Sequence, residues 1–182
     1  MKNYILIFSL LITFRLFAQD EPQKFDVKFG IGSTFIGSGD RLALSCENEL
    51  NYKITRYFSS SFSLGYGRSN NGIYSTVSYF QGDLSIYVSP FSNVHKNDFK
   101  IGTGLSLLNI SNYYRSLVIY ENNILVRSEY RADLKNTIGL NLILEDNYLI
   151  NDKFSIGLKL FIHPYSDSNI NSGLLLKLGM KI

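Results

Sequence analysis

Apolar and polar residues alternate along most of the chain after residue 23. Successive side chains of a strand point to opposite faces, so a period of two predicts β-strands. A tilted strand needs roughly 9–11 residues to cross a bilayer, and the length of every run lies within or above that range. The pattern predicts eight strands: Phe25–Phe35, Leu42–Ile54, Tyr57–Gly67, Tyr74–Val88, Asp98–Leu108, Asn136–Ile150, Phe154–His163 and Ile170–Ile182.

The two faces of these strands differ sharply in chemistry. One face is almost wholly apolar, and its single charged residue, Asp146, lies near a strand end. The other face carries ten of the 14 glycines. It also carries six acids and six bases, which can neutralise one another: Asp26, Glu47, Glu49, Asp83, Asp98, Glu145, Lys28, Lys53, Lys100, Lys159, Lys177 and Lys181.

Alternation alone does not say which face is inside, because a soluble β-sandwich would bury the apolar face. Glycines give a water-exposed sheet face nothing to pack, but they suit the narrow interior of an eight-stranded barrel, where they leave room for Lys and Glu. The connections are short at one end, as at Thr55-Arg56 and 151–153, and longest between Ile110 and Lys135. Both features favour a membrane barrel.

Aromatic residues on the apolar face fall into two groups around a band of Leu, Ile and Val. Such girdles mark the interfaces of a bilayer. One group is predicted at the periplasmic rim: Phe25, Tyr52, Phe58, Phe99, Tyr148 and Phe154. The other is predicted at the outer rim: Phe35, Tyr66, Tyr74 and Tyr130.

The fold that these observations predict is all-β: an eight-stranded, antiparallel, up-and-down transmembrane β-barrel. Every backbone N–H and C=O in lipid needs an internal partner, so an open sheet is not viable. The eighth strand must therefore pair with the first. The prediction places the chain in the outer membrane of a Gram-negative cell, with membrane lipid around it.

The first residues are typical of a cleaved signal peptide. Lys2 precedes an apolar stretch from Tyr4 to Phe14, which is too short to span a bilayer, and polarity returns at Asp20. We expect residues 1–19 to be the signal peptide and residues 20–182 the barrel domain. Cleavage is expected after Ala18 or Gln19. A buried N-terminal helix is the alternative.

Charge and motifs exclude several functions. The formal net charge is +3, it falls to +1 without Lys2 and Arg15, and no basic run exceeds two residues, which argues against nucleic acid as a partner. The single cysteine, Cys46, cannot form an internal disulfide and is expected to face lipid. No metal-binding or nucleotide-binding spacing occurs, so no metal, cofactor or catalytic residue is predicted.

The inward charged residues allow two interpretations. They could form an ion path, but an eight-stranded barrel is usually filled, so a salt-bridge network is favoured. Lys28 and Lys53 are expected to neutralise Glu47 and Glu49. His163, inward at the outer rim, could belong to a lipid-modifying site, but Ser155 is eight residues away on the same strand, beyond hydrogen-bond reach.

The segment from Tyr113 to Tyr130 predicts a hairpin that extends strands five and six above the membrane. Such a hairpin has an unpaired edge that can recruit a strand from a partner. An ordinary ordered loop is the alternative. The residues expected to form a protein-binding surface are Tyr113, Tyr114, Leu117, Ile119 and Tyr120.

The signal segment, the eight strands and the terminal run from Gly173 to Ile182 resemble small outer-membrane barrels of the OmpA/OmpX type, over residues 24–182. The resemblance implies insertion by the barrel-assembly machinery, although such barrels usually end in an aromatic residue and this chain ends in Ile182. It also implies a non-enzymatic structural or interaction role. The alternatives are a secretion-system accessory barrel, an outer-membrane lipid-modifying enzyme, or a soluble, exported, lipocalin-like binding protein.

Overall fold

The computed structural model describes residues 24–37, 41–70, 75–91, 96–121 and 124–182. The predicted signal peptide, residues 1–19, lies outside these ranges and stays a prediction. The described residues form eight strands: β1 (Phe25–Ile36), β2 (Arg41–Lys53), β3 (Phe58–Asn70), β4 (Ser75–Val88), β5 (Asn97–Glu121), β6 (Ile124–Leu149), β7 (Phe154–Pro164) and β8 (Ile170–Lys181). Among the described residues, no helix is long and apolar enough to cross a membrane.

The strands form a closed antiparallel barrel in chain order, and β8 pairs with β1. The closing register runs from Asp26 opposite Lys181 to Phe35 opposite Ser172. The predicted fold and its closure are therefore confirmed. We call the end with Phe25, Lys181 and the 54–57 turn the proximal end, and the opposite end, where β5 and β6 turn back, the distal end.

The apolar face points outward and the charged face inward. Leu158 and Leu176 expose 51% and 46% of their surface, whereas the adjacent Lys159 and Lys177 expose none. A water-soluble β protein would show the reverse, so the soluble lipocalin-like alternative is wrong. Cys46 is a free cysteine on the outward face, as expected.

Exposed aromatic side chains surround the barrel near both ends. At the proximal end, Phe25 and Tyr52 lie 5.0 Å apart between ring centroids. At the distal end, Phe35, Tyr66 and Tyr130 are each about half exposed. These positions agree with the predicted girdles, except that Tyr74 lies outside the described residues.

The inward glycines do more than leave room for charged side chains, which was the expectation. A Cβ at Gly30 would meet the Lys177 side chain at 3.4 Å, as expected. A Cβ at Gly32 or Gly104, however, would lie 1.9 Å from a carbonyl oxygen of the neighbouring strand. Gly102 instead lies under the ring of Tyr87. The inward glycines therefore mainly allow neighbouring strands to approach closely and aromatic rings to pack against the wall.

Strands β5 and β6 are far longer than the sequence predicted for the barrel wall. They remain paired through the predicted 113–130 hairpin, with register shifts between Arg115 and Leu117 and between Ile119 and Tyr120. β4 pairs with β5 only as far as Tyr114, and β7 pairs with β6 only from Leu142 onward. The hairpin thus continues beyond the barrel wall.

Candidate functional site

Six inward side chains in the middle of the barrel form one ion cluster. Three are acids and three are bases, and none exposes more than 4% of its surface: Lys28, Glu47, Glu49, Glu145, Lys159 and Lys177. Each strand places its members on the lumen face because they share one parity of the alternation. Their formal charges cancel, so the cluster is neutral as a unit.

Lys177 lies at the centre of the ion cluster. Its Nζ donates to Glu49 Oε2 at 2.5 Å and to Glu145 Oε2 at 3.1 Å, and lies 3.2 Å from Glu47 Oε1. Lys159 Nζ donates to Glu47 Oε1 at 2.7 Å and to Glu49 Oε2 at 3.2 Å. Buried charges persist only when they are paired and hydrogen-bonded in this way.

Lysines of the ion cluster bond across the lumen rather than along the wall. Lys28 stands opposite Glu49 in the β1–β2 register but forms its hydrogen bond with Glu145. Lys159 stands opposite Glu145 in the β6–β7 register but bonds Glu47 and Glu49. The expectation that Lys28 and Lys53 neutralise Glu47 and Glu49 is therefore wrong: Lys159 and Lys177 do so, because long side chains reach strands on the far side of a narrow barrel.

Two asparagines complete the ion cluster on its proximal side. Asn51 Nδ2 donates to Glu49 Oε1 at 2.7 Å, and Asn147 Nδ2 donates to Glu145 Oε1 at 2.8 Å. Each asparagine lies two residues from its glutamate on the same strand and therefore on the same face. The sequence reasoning missed both, although their parity could have identified them.

The remaining predicted charges lie above and below the ion cluster. Asp83 is 2% exposed and accepts hydrogen bonds from Ser63 Oγ at 3.2 Å and Gln81 Nε2 at 2.8 Å. Lys100 Nζ pairs with Asp98 Oδ2 at 3.2 Å, and Asp26 Oδ2 lies 3.6 Å from Lys28 Nζ.

Lys53 and Lys181 lie at the proximal mouth rather than in the ion cluster. Lys53 is exposed and Lys181 is half-buried, and both line a cavity of about 80 Å³ that opens at this end. We call this cavity the proximal vestibule. Its charged lining residues are Lys24, Asp26, Lys28, Lys53, Arg56, Asp98, Lys100 and Lys181.

Apolar side chains fill the lumen towards the distal end. This cluster, the distal plug, consists of Ile36, Ala43, Val77, Tyr79, Leu108, Ile110 and Tyr165. The rings of Tyr79 and Tyr165 occupy the space above Gly67 and Gly139. The Tyr79 hydroxyl donates to Thr34 Oγ1 at 3.2 Å. The distal plug therefore separates the ion cluster from the distal end of the barrel.

His163 lies beneath the distal plug and is fully buried. Its Nδ1 lies 2.8 Å from Gln81 Nε2, which donates to it, and the Phe161 ring packs against it at 4.7 Å between centroids. Ser155 is on the same strand, about 26 Å away for eight residues of β-structure. The structure therefore does not assemble a His–Ser site. Within the described ranges, no group of three potential metal ligands occurs.

The distal hairpin, residues 110–135, exposes aromatic surface. The rings of Tyr113 and Tyr130 stack with centroids 5.5 Å apart and planes 7° apart, and each ring is about half exposed. Tyr114 is 43% exposed. The backbone of Leu117, Ile119 and Tyr120 lies in the hairpin strand, but their side chains lie outside the described part of the structure.

An ion pair braces the base of the distal hairpin. Lys135 Nζ on β6 lies 2.8 Å from Asp167 Oδ2 in the β7–β8 turn, and Asn169 Nδ2 donates to the same oxygen at 2.5 Å. Desolvation raises the pKa of Asp167, but the hydrogen bonds from Lys135 and Asn169 outweigh it and hold that pKa below its ordinary value. The turn itself contains Ser168 at a φ of 67°.

No protein-family model and no curated protein matches the sequence. Solved structures match closely in shape. Neisserial surface protein A has a TM-score of 0.64 at 14% identity, covering 90% of this chain and 100% of that one. Ail of Yersinia pestis has a TM-score of 0.59 at 10% identity, covering 87% and 97%. OprG of Pseudomonas aeruginosa has 0.58 at 10%, covering 90% and 98%.

The chain therefore has the fold of the small eight-stranded barrels of bacterial outer membranes. The OmpA/OmpX-type resemblance is confirmed at the level of this fold. Together with the exposed apolar belt, the fold supports the predicted outer-membrane location. One further matching structure, with a TM-score of 0.56 at 8% identity, is Ail in complex with the heparin analogue sucrose octasulfate.

Proposed function

We propose that this protein is a non-enzymatic integral barrel of the outer membrane whose distal hairpin binds a protein partner at the cell surface. The observation that carries the proposal is the extension of β5 and β6 beyond the wall. Past Tyr114, β5 has no neighbour among the described strands except β6. Before Leu142, β6 has no ladder with β7 and meets the end of β7 and the 165–169 turn through the Gly139–Tyr165 bridge and the Ser166 N–Ile138 O hydrogen bond.

Open strand edges favour a partner that adds an extended segment. Each unpaired edge presents backbone N–H and C=O groups that a third strand can bond. The stacked pair of Tyr113 and Tyr130 adds rigid apolar surface beside one edge, and Tyr114 and the 70% exposed Leu134 add more. Aromatic residues of this kind are enriched where protein interfaces are strongest.

The lumen supports a structural role for the wall. We propose that the predicted charge residues stabilise a filled barrel: the ion cluster neutralises itself, and the distal plug blocks the lumen on the surface side. His163 is fully buried beneath the apolar distal plug, and this burial supports the non-enzymatic assignment. Insertion by the barrel-assembly machinery follows from the same proposal.

Site-specific photocrosslinking in intact cells tests the partner surface. We place a photoreactive phenylalanine analogue at Tyr114 on the distal hairpin and, as the matched control, at Leu158 on the lipid-facing wall. We expect discrete protein adducts only from position 114. Equal adduct patterns from both positions would contradict the proposal.

Deletion of residues 113–130 separates binding from folding. The barrel wall retains all its strand pairs below this segment, so the variant should still migrate as a heat-modifiable band and fractionate with the outer membrane. The cell-surface adducts should disappear. Failure of the deleted chain to assemble would contradict the assignment of this segment as an accessory to the wall.

A further inference from the structure

An asparagine interrupts the lipid-facing surface of β2. Asn48 lies on the outward face, between Cys46 and Leu50, and its side chain is exposed. It is four residues from Tyr52 at the proximal end, which is about 13 Å along the strand and about 10 Å in depth for a strand tilted by about 40°. On the distal side it is six residues from Leu42. Asn48 therefore lies within the apolar belt rather than at either interface.

The Asn48 amide has no hydrogen-bond partner within the described structure. Its neighbours across the strands are Phe29 on β1 and Leu64 on β3, and neither side chain can form a hydrogen bond. Acyl chains offer no hydrogen-bonding group, and water is absent at this depth. The side chain is also too short to reach the interface, as long basic side chains do. Two N–H donors and a carbonyl oxygen are thus left unsatisfied in lipid, which is unfavourable.

Other polar residues of the outward face differ from Asn48. Thr103 Oγ1 donates to a backbone oxygen of β6 at 3.0 Å. Asn109 Nδ2 donates to Asn136 Oδ1 at 2.6 Å, so these two amides are joined within one chain. Asp146 stands opposite an aromatic residue of the proximal end, at the edge of the belt. Asn48 lacks both an internal partner and access to the interface.

The surface around Asn48 allows another wall to approach closely. Leu64 stands between Asn48 and Gly82 in the β2–β3–β4 register, and Gly82 faces outward with no side chain. Cys46, the next outward residue on β2, is small and half-buried. In membrane helices, small residues beside a polar one mark packed surfaces because they let the backbones approach. The same physical reason applies to the wall of a barrel.

The same surface carries almost no charge. On the outward faces of β2, β3 and β4, the described residues include one charged side chain, Arg68. It lies four residues from Leu64 towards the distal end, about 13 Å along the strand. Two such surfaces can therefore face each other across the belt without repulsion.

We propose that two copies of this barrel pair side by side in the membrane through the outward face of β2, β3 and β4, with their Asn48 amides hydrogen-bonded to each other. A second Asn48 is a suitable partner because each amide offers both donors and an acceptor. Every copy inserts in the same direction, so the twofold axis runs along the membrane normal and places both side chains at one depth. The contact lies on the wall, so it is independent of the distal hairpin.

Sedimentation equilibrium of the full barrel in density-matched detergent micelles tests the pairing. We expect a reversible dimer, and Asn48→Leu should weaken it about three- to thirtyfold, which corresponds to one hydrogen bond between membrane segments. Asn109→Leu is the matched control, because the Asn109 amide is bonded within the chain, and it should leave the dimer unchanged. A wild-type barrel that stays monomeric, or equal weakening by both substitutions, would overturn the proposal.

A conservative variant separates the amide from the shape of the wall. Asn48→Gln keeps the donors and the acceptor and should dimerise within about threefold of the wild-type barrel. Both Asn48 variants should retain a heat-modifiable band, because neither adds a charge to the lipid-facing surface. If Asn48→Gln loses the dimer as fully as Asn48→Leu does, the amide does not join the two copies and the proposal is wrong.

Photocrosslinking in intact cells locates the contact. A photoreactive phenylalanine analogue replaces Leu64 beside Asn48 or, as the matched control, Leu158 on β7, which lies opposite β3 in the closed barrel. We expect adducts of twice the chain mass from position 64 alone, and they should persist when residues 113–130 are deleted. Equal self-adducts from both positions, or adducts from position 64 with other proteins only, would overturn the pairing. Self-adducts that disappear with the hairpin would place the contact there and overturn the wall surface.

Discussion

Lys177 illustrates how single residues hold the lumen together. Its ammonium group is fully buried and lies within 3.2 Å of an oxygen of Glu47, Glu49 and Glu145. Removing one partner of a buried ion pair is costly because the other charges stay behind unpaired. The stability of the wall therefore depends on each lysine of the ion cluster far more than on exposed lysines.

Substitution of Lys177 by methionine should destabilise the barrel strongly. The side chain keeps its approximate length, but three carboxylates lose a shared donor, which costs about 3–5 kcal/mol. Urea unfolding of the reconstituted barrel measures the effect, and Lys153→Met, at an exposed proximal position, should change the free energy of unfolding by less than about 0.5 kcal/mol. Equal unfolding midpoints for the two variants would show that the ion cluster does not stabilise the fold.

A methyl group at Gly102 should also be costly. Its Cβ would lie 2.6 Å from two atoms of the Tyr87 ring, which is fully buried and has little freedom to move. Overpacking of this kind costs about 1–3 kcal/mol. Gly82→Ala is the matched control, because its Cβ would meet only a side-chain carbon of Leu64 at 3.7 Å. If Gly102→Ala unfolds at the same urea concentration as the control, Tyr87 does not depend on that space.

At the scale of elements, the distal hairpin is anchored to the β7–β8 turn by the Lys135–Asp167 ion pair. Without such contacts, the long strands β5 and β6 would be joined to the rest of the barrel only by their pairing with β4 and β7. The hydrogen bond between Ser166 N and Ile138 O, at 3.0 Å, strengthens the same junction. Such a brace fixes the direction in which the hairpin projects.

The ion pair between Lys135 and Asp167 should weaken as the pH falls. Because the folded pKa of Asp167 lies below its ordinary value of 3.8, its contribution is complete above 3.8 and is lost as the pH falls through the folded pKa. Titration of the Asp167 carboxyl carbon by nuclear magnetic resonance should give a midpoint below 3.8. Lys135→Gln should move the midpoint upward, and an unchanged midpoint would show that Lys135 does not hold the carboxylate.

Sequence periodicity was sufficient for most elements and insufficient for side-chain partners. The runs from Phe25 and Phe154 alternate over most of their length, and the predicted strands begin at these residues in the structure. The sequence predicted wall strands that end at Leu108 and begin again at Asn136, with a hairpin at 113–130 above them, whereas β5 and β6 continue into that hairpin without a break. Partners of Lys28 depend on strand tilt and register across the lumen, which a one-dimensional pattern does not contain.

At the scale of the whole molecule, an apolar exterior surrounds a charged interior. This inversion is what distinguishes the barrel from a soluble β protein of the same alternation. It also explains why mean hydropathy, at +0.01, gives no indication of a membrane protein. The direction in which the apolar face points identifies a membrane barrel, whereas the mean hydropathy does not.

Lipid-soluble quenchers should report this inversion directly. In a Cys46→Ser background, a fluorophore attached at Leu158→Cys should be quenched by spin-labelled lipid, because Leu158 lies on the lipid-facing wall. A fluorophore at Lys153→Cys, in the proximal turn, should instead be quenched by aqueous iodide. Iodide quenching at position 158 as efficient as at position 153 would contradict the membrane orientation.

The distal plug divides the two sides of the membrane chemically. Apolar side chains stand between the ion cluster and the distal end of the barrel, whereas the vestibule approaches that cluster from the proximal end. A solute that approaches from the distal end therefore meets the apolar side chains of the distal plug before it meets the ion cluster. The two ends of the lumen are therefore chemically separate: the distal end offers the hairpin and an apolar plug, and the proximal end offers a charged vestibule.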